Sequence, residues 1–404
     1  MKILHTADWH LGQNFYDRNR LDEQRRFLDF LLSVIESEQV DILIIAGDIF
    51  DTANPPRAAE QLYYNFVTRL FAMGHCDAVV IGGNHDSAPH LDAPASVLSQ
   101  LRIHVIGAMP DDHSQALLRF ERNGKHLCIA AVPFLRDRDV RRAIEGESFD
   151  AMEARTKAGI LHTYDAIAAL AVQVQHPNEI IIATGHLTAV GGSLSGSERS
   201  IHIGNLGSIS ADQFNPAFDY VALGHLHHPQ AVGGCEYIRY SGSPIPLSFS
   251  ESDKKELRLL SIDDGQKLQH GAIPIPLARR LLRVKGSADQ VTESIRQLVI
   301  TEDELRPWIE VTITEGDVSP VINDQIREAA AEHGAEVLKV GRQLSPEQLG
   351  SLDADSTKAI SEWEPLAVFE KRIEAYDGDI ASGTLKDCFN HVLNAVHEGE
   401  EANA

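Results

Sequence analysis

Cysteine, tryptophan and methionine are scarce in this sequence. Its 404 residues include four cysteines, three tryptophans and four methionines. Cys76, Cys128, Cys235 and Cys388 are scattered without C-x-x-C spacing. That argues against a disulfide framework or a zinc knuckle and fits reduced cytosolic thiols. Long apolar runs are missing too. No stretch approaches the roughly 20 apolar residues of a membrane helix. The N-terminus, MKILHTADWH, has neither the basic region nor the apolar run of a signal peptide. The expected location is the cytoplasm, with no membrane attachment. Positive charge is also short: 36 Lys and Arg stand against 59 Asp and Glu, a formal net charge of −23. This argues against nucleic-acid binding through bulk charge. It leaves room for a local basic groove, or for phosphate attracted to bound divalent cations. Repeats and low-complexity runs are absent.

What is present is material for a full core. An apolar content of 43% over this length supports two domains and a tail. The organising stretch is 41–51, DILIIAGDIFD. Residues 42–45 read as a strand buried on both faces of a sheet. Gly47 permits a tight turn, and Asp48 then projects from the carboxyl end of the strand, where open α/β sheets place their ligands. A lone Asp after a strand is ordinarily a turn or cap residue. Four more stretches of the same form change that reading.

Residues 2–6 form a short strand running into Asp8-Trp9-His10. If the backbone stays extended, Asp8 and His10 share a face and converge on one ion. Residues 21–40 form an amphipathic helix burying Phe27, Leu28, Leu31, Val34 and Ile35. Asn54-Pro55-Pro56 opens a second helix, a cap followed by prolines in the first turn, and Gly74 ends it. The strand 78–81 ends in Gly82-Gly83-Asn84-His85-Asp86. Here the glycines let the backbone approach a ligand closely. Asn84 offers an amide oxygen, His85 a proton or positive charge, and Asp86 is expected to orient the His85 ring. Strand, loop and strand follow over 91–135, then a long alanine-rich helix over 151–174. The strand 179–184 runs into Gly185-His186 and a Gly/Ser-rich loop, 187–197. A fifth strand, 220–223, ends in Gly224-His225-Leu226-His227, with both histidines on one face if extended. His228 points away. His5, His75, His90 and His202 read as core or surface residues.

A second domain begins near 279 with the order β-α-β-α-β, including a capping box at Ser287 and Gln290. The expected division is a domain over 1–277, a small α+β capping domain over 278–344, and a helical tail over 345–404. Amphipathic helices over 360–376 and 385–396 either fold back on the second domain or dock a partner helix.

Asp8, His10, Asp48, Asn84, His186, His225 and His227 thus form seven candidate ligands on five strand ends. Carboxylate, imidazole and amide together suit octahedral Mn2+ or Fe2+ better than a closed zinc site. Two ions about 3.5–4 Å apart, bridged by Asp48, would make a phosphoester-cleaving centre. Positive charge gathers at Arg18, Arg20, Arg57 and the run 136–142, beginning with Arg136. These are the DNA-contact candidates, although the run is most simply a solvated helix face.

The blocks D-W-H, G-D-x-F-D, G-N-H-D, G-H-L and G-H-L-H resemble the five motifs of the metallophosphoesterase superfamily. HTADWHLGQNF, AGDIFDTANPP, ATGHLT and the run ALGHLHHPQ through YSGSPIPLSF are similar to the SbcD family of bacterial nuclease subunits. The resemblance implies a four-layer α/β/β/α sandwich and a Mn2+-dependent nuclease, with Mg2+ or Fe2+ as alternatives. It implies 3′→5′ exonuclease action on duplex ends and endonuclease action on single strands and hairpins. It also implies a nucleoid-associated homodimer assembled with an SbcC-type coiled-coil ATPase. One metal site maps onto Asp8, His10, Asp48 and His227, the other onto Asp48, Asn84, His186 and His225. The general acid or transition-state stabiliser maps onto His85. Some archaeal and eukaryotic relatives carry a further histidine where this sequence has Asp51, so that role does not transfer. Two alternatives stand beside this reading: a phosphodiesterase for a small nucleotide, and a non-catalytic scaffold of the same fold.

Overall fold

Strands that feed two different cores must be apolar on both faces. β4 (Ile42–Ala46) sends Ile42, Ile44 and Ala46 to one side and Leu43 and Ile45 to the other, which is why its sequence shows no polar alternation. The computed structural model describes residues 1–141, 148–189, 208–251, 253–265, 267–301, 303–315, 319–343, 369 and 389. The chain divides into two compact units, Met1–Gly341 and Arg342–Ala404.

Among the described residues of the first unit, β4 belongs to a six-stranded sheet of order β14-β13-β1-β4-β5-β6. Its other strands are β1 (Lys2–Thr6), β5 (Asp77–Ile81), β6 (Ile103–Ile106), β13 (Glu256–Ile262) and β14 (Leu268–Pro274). A second six-stranded sheet has the order β11-β12-β10-β9-β8-β7. It contains β7 (Leu117–Arg122), β8 (Lys125–Ala130), β9 (Ile180–His186), β10 (Tyr220–Gly224), β11 (Gln230–Val232) and β12 (Cys235–Tyr240). The strands β1, β4, β5 and β6 are mutually parallel, as are β8, β9, β10 and β12.

Ile3, Ile42, Ile44 and Val79 meet Leu127, Ile129, Ile182 and Ala222 between the sheets. Outside the first sheet, α1 (Leu21–Glu38) and α2 (Arg57–Met73) lay Phe27, Leu31, Phe66 and Leu70 on Leu43, Ile45 and Val80. Outside the second, α6 (Phe149–Gln173) packs Ile160, Tyr164 and Ile167 on Ala183, Val221 and Leu223. Helix, sheet, sheet and helix make the expected four layers. His5 is a core residue: its ring lies 3.3 Å from the Tyr220 hydroxyl and 3.2 Å from the Leu223 carbonyl, and burial pushes its pKa down to about 3.

Two local expectations need correction. Pro56 is the extended N-cap of α2, so both prolines precede the helix instead of filling its first turn. Residues 88–100 carry two short helices, α3 (Ala88–Asp92) and α4 (Ala95–Gln100), whereas strand, loop and strand were expected from residue 91. Proline stands at their starts, where its missing N–H costs nothing, and Leu91 and Leu98 anchor them in the core. The described residues of the mixed-charge run hold a single turn, α5 (Asp137–Val140).

The small module follows the expected order: β15 (Arg279–Gly286), α7 (Ala288–Arg296), β16 (Leu305–Ile313), α8 (Pro320–Glu332) and β17 (Glu336–Arg342). Ser287 and Ser319 cap its helices, and Val291, Ile295 and Ile326 pack on Ile309, Val311 and Val337. An aromatic cluster joins it to the larger domain. Phe15, in a hairpin of β2 (Asn14–Phe15) and β3 (Arg18–Asn19), stacks on Trp308 at 5.7 Å, with Phe249 and Leu281 beside them.

In the second unit, Phe369 and Phe389 are helical and their rings stack at 4.0 Å. The remainder of the expected tail helices lies outside the described residues, as do residues 190–197 of the Gly/Ser-rich loop and His202. No helix among the described residues is long and apolar enough to cross a membrane.

Candidate metal centre

The parallel strands β1, β4, β5, β9 and β10 deliver their following residues to one rim. The backbone there is not extended. Asp8, His10, Asp48 and His225 have φ of 55°, 44°, 50° and 102°. Such conformations cost about 1–3 kcal/mol each and persist only where surroundings enforce them. The D-x-H side chains therefore converge through left-handed kinks, not by alternation along a strand, and the H-x-H segment bends at His225. Cross-links hold the kinks. The Asp8 N–H donates to the Gly47 carbonyl and the His10 N–H to the Asp48 carbonyl, both at 3.0 Å. The His225 N–H donates to Asp8 Oδ1 and the His85 N–H to Asp48 Oδ1, both at 2.9 Å. Gly47 is required twice over: its φ is +89°, and a Cβ there would strike the His186 ring.

Ligand atoms of Asp8, His10 and His227 lie within 4.8 Å of one another, as do those of Asp8, Asp48 and His186. Asp48 links the two groups: its Oδ2 is 3.6 Å from His10 Nε2 and 3.3 Å from His186 Nε2. Asn84 Oδ1 is 2.9 Å from the same His186 nitrogen. His186 Nδ1 donates to the Ala46 carbonyl at 3.0 Å, which leaves Nε2 for a ligand. His225 joins neither group, and its ring stands 5.5 Å from that of His186. Asp8, His10, Asp48, His186, His225 and His227 are all buried, whereas Asn84 and His85 are half-buried.

Asp8 Oδ2 and both ring nitrogens of His10 are buried without a hydrogen-bond partner. Such orphaned atoms are rare in folded proteins because each forfeits its hydration. A divalent cation would satisfy Asp8 Oδ2 and one His10 nitrogen, and a donor set of oxygen and imidazole nitrogen without thiolate suits one. The residues present fit the group.

Charge is already partitioned among them. Burial pushes Asp8 up to about 7. Burial works against the Asp48 carboxylate too, but His186 and His10 outweigh it and hold Asp48 well below its usual range. His186 gains in return: burial opposes its charge, yet Asp48 and Asp8 push it up to about 9. Burial lowers His10 and His225. Without metal, the rim thus holds an Asp48 carboxylate against a His186 imidazolium, and a cation takes the place of protons.

Two sequence expectations about the rim are corrected. Asp86 does not orient His85. Its carboxylate accepts the backbone N–H groups of Gly83, Ile49 and Phe50 at 2.9, 3.1 and 3.0 Å, tying the β5 turn to the β4 turn. The His85 ring is held instead by Nδ1 donating to the Asp51 carbonyl at 2.7 Å. Asp51 also sets its Oδ1 3.3 Å from His10 Nδ1, close but not aligned as a hydrogen bond. Arg20 cannot meet DNA in this fold. It is 1% exposed, paired with Glu23, bonded to the Pro246 carbonyl, and set beneath the Phe15 ring at 5.4 Å. Arg18 is exposed but paired with Glu336 at 2.9 Å, Arg57 is exposed at the start of α2, and Arg136 is half-buried.

Sequence reading also missed Glu251 and Lys255, a buried pair beside His227. Their four-residue spacing is the only local signal. The pairing with His227 is tertiary and leaves no mark in the sequence.

Comparison with known proteins agrees with this geometry. The family described as calcineurin-like phosphoesterase matches residues 1–229, and that described as type 5 capsule protein repressor C-terminal domain matches 278–376. The SbcD component of nuclease SbcCD from Escherichia coli K12 is 36% identical, covering 98% of this chain and 100% of its own. The component of that name from Rhodobacter capsulatus is 38% identical, covering 71% of this chain and 73% of its own. That from Bacillus subtilis is 32% identical, covering 78% and 80%. With one such match over almost its full length, and a rim of carboxylates and histidines, the chain belongs to the calcineurin-like phosphoesterase family, among the SbcD components of SbcCD nucleases.

Proposed function

We propose that this chain hydrolyses DNA phosphodiester bonds with two divalent ions, Mn2+ by preference, as the nuclease subunit of an SbcC-type ATPase complex. The observation that carries the reading is the Asp48 carboxylate, within 3.6 Å of a ring nitrogen from each of two ligand groups. One ion would be held by Asp8, His10, Asp48 and His227, the other by Asp48, Asn84, His186 and His225. When bound, such ions supply an activated water and offset charge on the phosphoryl oxygens.

The chain's own residues do the rest. A carbonyl only accepts, so the Asp51 carbonyl keeps a hydrogen on His85 Nδ1 in every charge state. Proton exchange is thereby confined to Nε2. His85 is half-buried at the rim, and a leaving 3′-oxygen would take its proton from that atom. Asp86 acts one step back, by fixing the turn that carries Asn84 and His85. With a net charge of −23, the chain offers few cations for a DNA backbone. Arg18, Arg57 and Arg136 remain as contacts, and the partner supplies most of the grip. Residues 1–277 would be the nuclease domain, 278–344 the capping module and 345–404 the docking arm. The assembly is a homodimer within a heterotetramer, acting 3′→5′ on duplex ends and as an endonuclease on single strands and hairpins.

The test is cleavage of end-labelled duplex and hairpin DNA with Mn2+ or Mg2+, with and without the ATPase. Metal-dependent shortening from the 3′ end is expected. DNA left intact under every metal and partner condition would overturn the reading.

A further inference from the structure

The His227 backbone and ring are both tied to one buried ion pair. The side chains of Glu251 and Lys255 are each 1% exposed, in the segment joining β12 to β13. Lys255 Nζ donates to Glu251 Oε2 at 2.6 Å, to Ser243 Oγ at 2.8 Å and to the His227 carbonyl at 2.9 Å. An ammonium has three donors, and here each has an acceptor. The other carboxylate oxygen, Glu251 Oε1, stands 3.6 Å from His227 Nδ1.

A buried pair of this kind is a poor way to gain stability. Both ions lose their hydration, and apolar side chains of similar volume often serve as well or better. Its geometry is informative instead. The lysine is fully occupied, so it fixes the carboxylate in place. The carboxylate faces Nδ1 of a histidine that is itself a member of the Asp8, His10 and His227 group.

We propose that Glu251, held by Lys255, is a positioning residue for His227: its carboxylate accepts the Nδ1 hydrogen and presents Nε2 to a divalent ion. A carboxylate behind a ligand histidine fixes its tautomer and raises its basicity. The inference rests on the two-ion reading above. It adds a residue pair that touches neither ion nor substrate.

The test is Mn2+ binding to the full-length chain, followed by the electron paramagnetic resonance of free Mn2+. Melting of the EDTA-treated protein serves as the fold readout. The double variant Glu251→Leu/Lys255→Met removes both charges and leaves neither unpaired. The expected result is one ion weakened by about tenfold to a hundredfold, the other ion unchanged, and melting close to that of the parent. Two ions bound with parental affinity would overturn the proposal. So would loss of both ions together with a lower melting temperature, since that marks a purely structural pair. If the double variant does not fold, Glu251→Gln, which keeps the shape of the side chain, is judged by the same two readouts. A parent chain that binds no Mn2+ would instead overturn the two-ion reading itself.

Discussion

His85 and Asp48 are neighbours at the rim with separable duties. His85 is half-buried, with its Nδ1 committed to the Asp51 carbonyl, and lies outside the seven proposed ligands, although it groups with His10 and Asp51. We expect His85→Ala to keep both ions and lose cleavage by about 10²–10⁴-fold. Metal content and rate measured on one preparation decide this, and loss of metal with activity would make His85 a ligand. Asp48→Ala should lose at least one ion and all activity, because the shared carboxylate offsets charge in both groups. Full occupancy of two ions in that variant would remove its bridging role. Proton linkage gives a third expectation. Asp8 and His186, raised to about 7 and about 9, hold protons below those values. A cation must displace them. Mn2+ affinity should therefore rise from about pH 6 to about pH 9, with protons released on binding. Calorimetry in buffers of different ionisation enthalpy measures that release, and an affinity indifferent to pH would contradict it.

At the scale of elements, the strands were legible because burial on both faces demands an uninterrupted apolar run, as in β4, β5, β9 and β10. The candidate ligands could be named from the sequence because they follow those runs directly. The kinks at Asp8, His10, Asp48 and His225 were not, since hydrogen bonds between distant turns impose them. Arg20 shows the same limit from the other side. In sequence it is one basic residue of a cluster, and only tertiary packing sets it beneath Phe15 and against Glu23. The aromatic joint between domain and module is likewise tertiary. Trp308 is 2% exposed, stacked on Phe15, with the Arg279 guanidinium 4.0 Å from its ring. Trp308→Ala should lower stability by about 3–5 kcal/mol. Urea unfolding measures this, and a change within error would mean that the joint contributes little.

For the whole molecule, charge and architecture divide the labour. A rim that concentrates buried carboxylates and histidines belongs to a chain carrying a net charge of −23. On the reading proposed above, the chemistry is supplied locally and the partner supplies much of the DNA grip. Trp363, Leu366 and Ile373 in the proposed docking arm lie outside the described residues, so the arm rests on its sequence pattern. Deleting residues from 355 onward should leave two-ion binding and a basal Mn2+-dependent nuclease intact while abolishing co-purification with the ATPase. Unchanged affinity for the ATPase would return the tail to the core of the module. The central claim is that two ions at one rim cut DNA, and a titration of the metal-free chain with Mn2+ tests it most directly. Ion occupancy and cleavage of an end-labelled duplex are read from the same samples. The expected result is two ions per chain, with cleavage following occupancy of the second. Cleavage that persists in EDTA, or that is complete with a single ion bound, would contradict it.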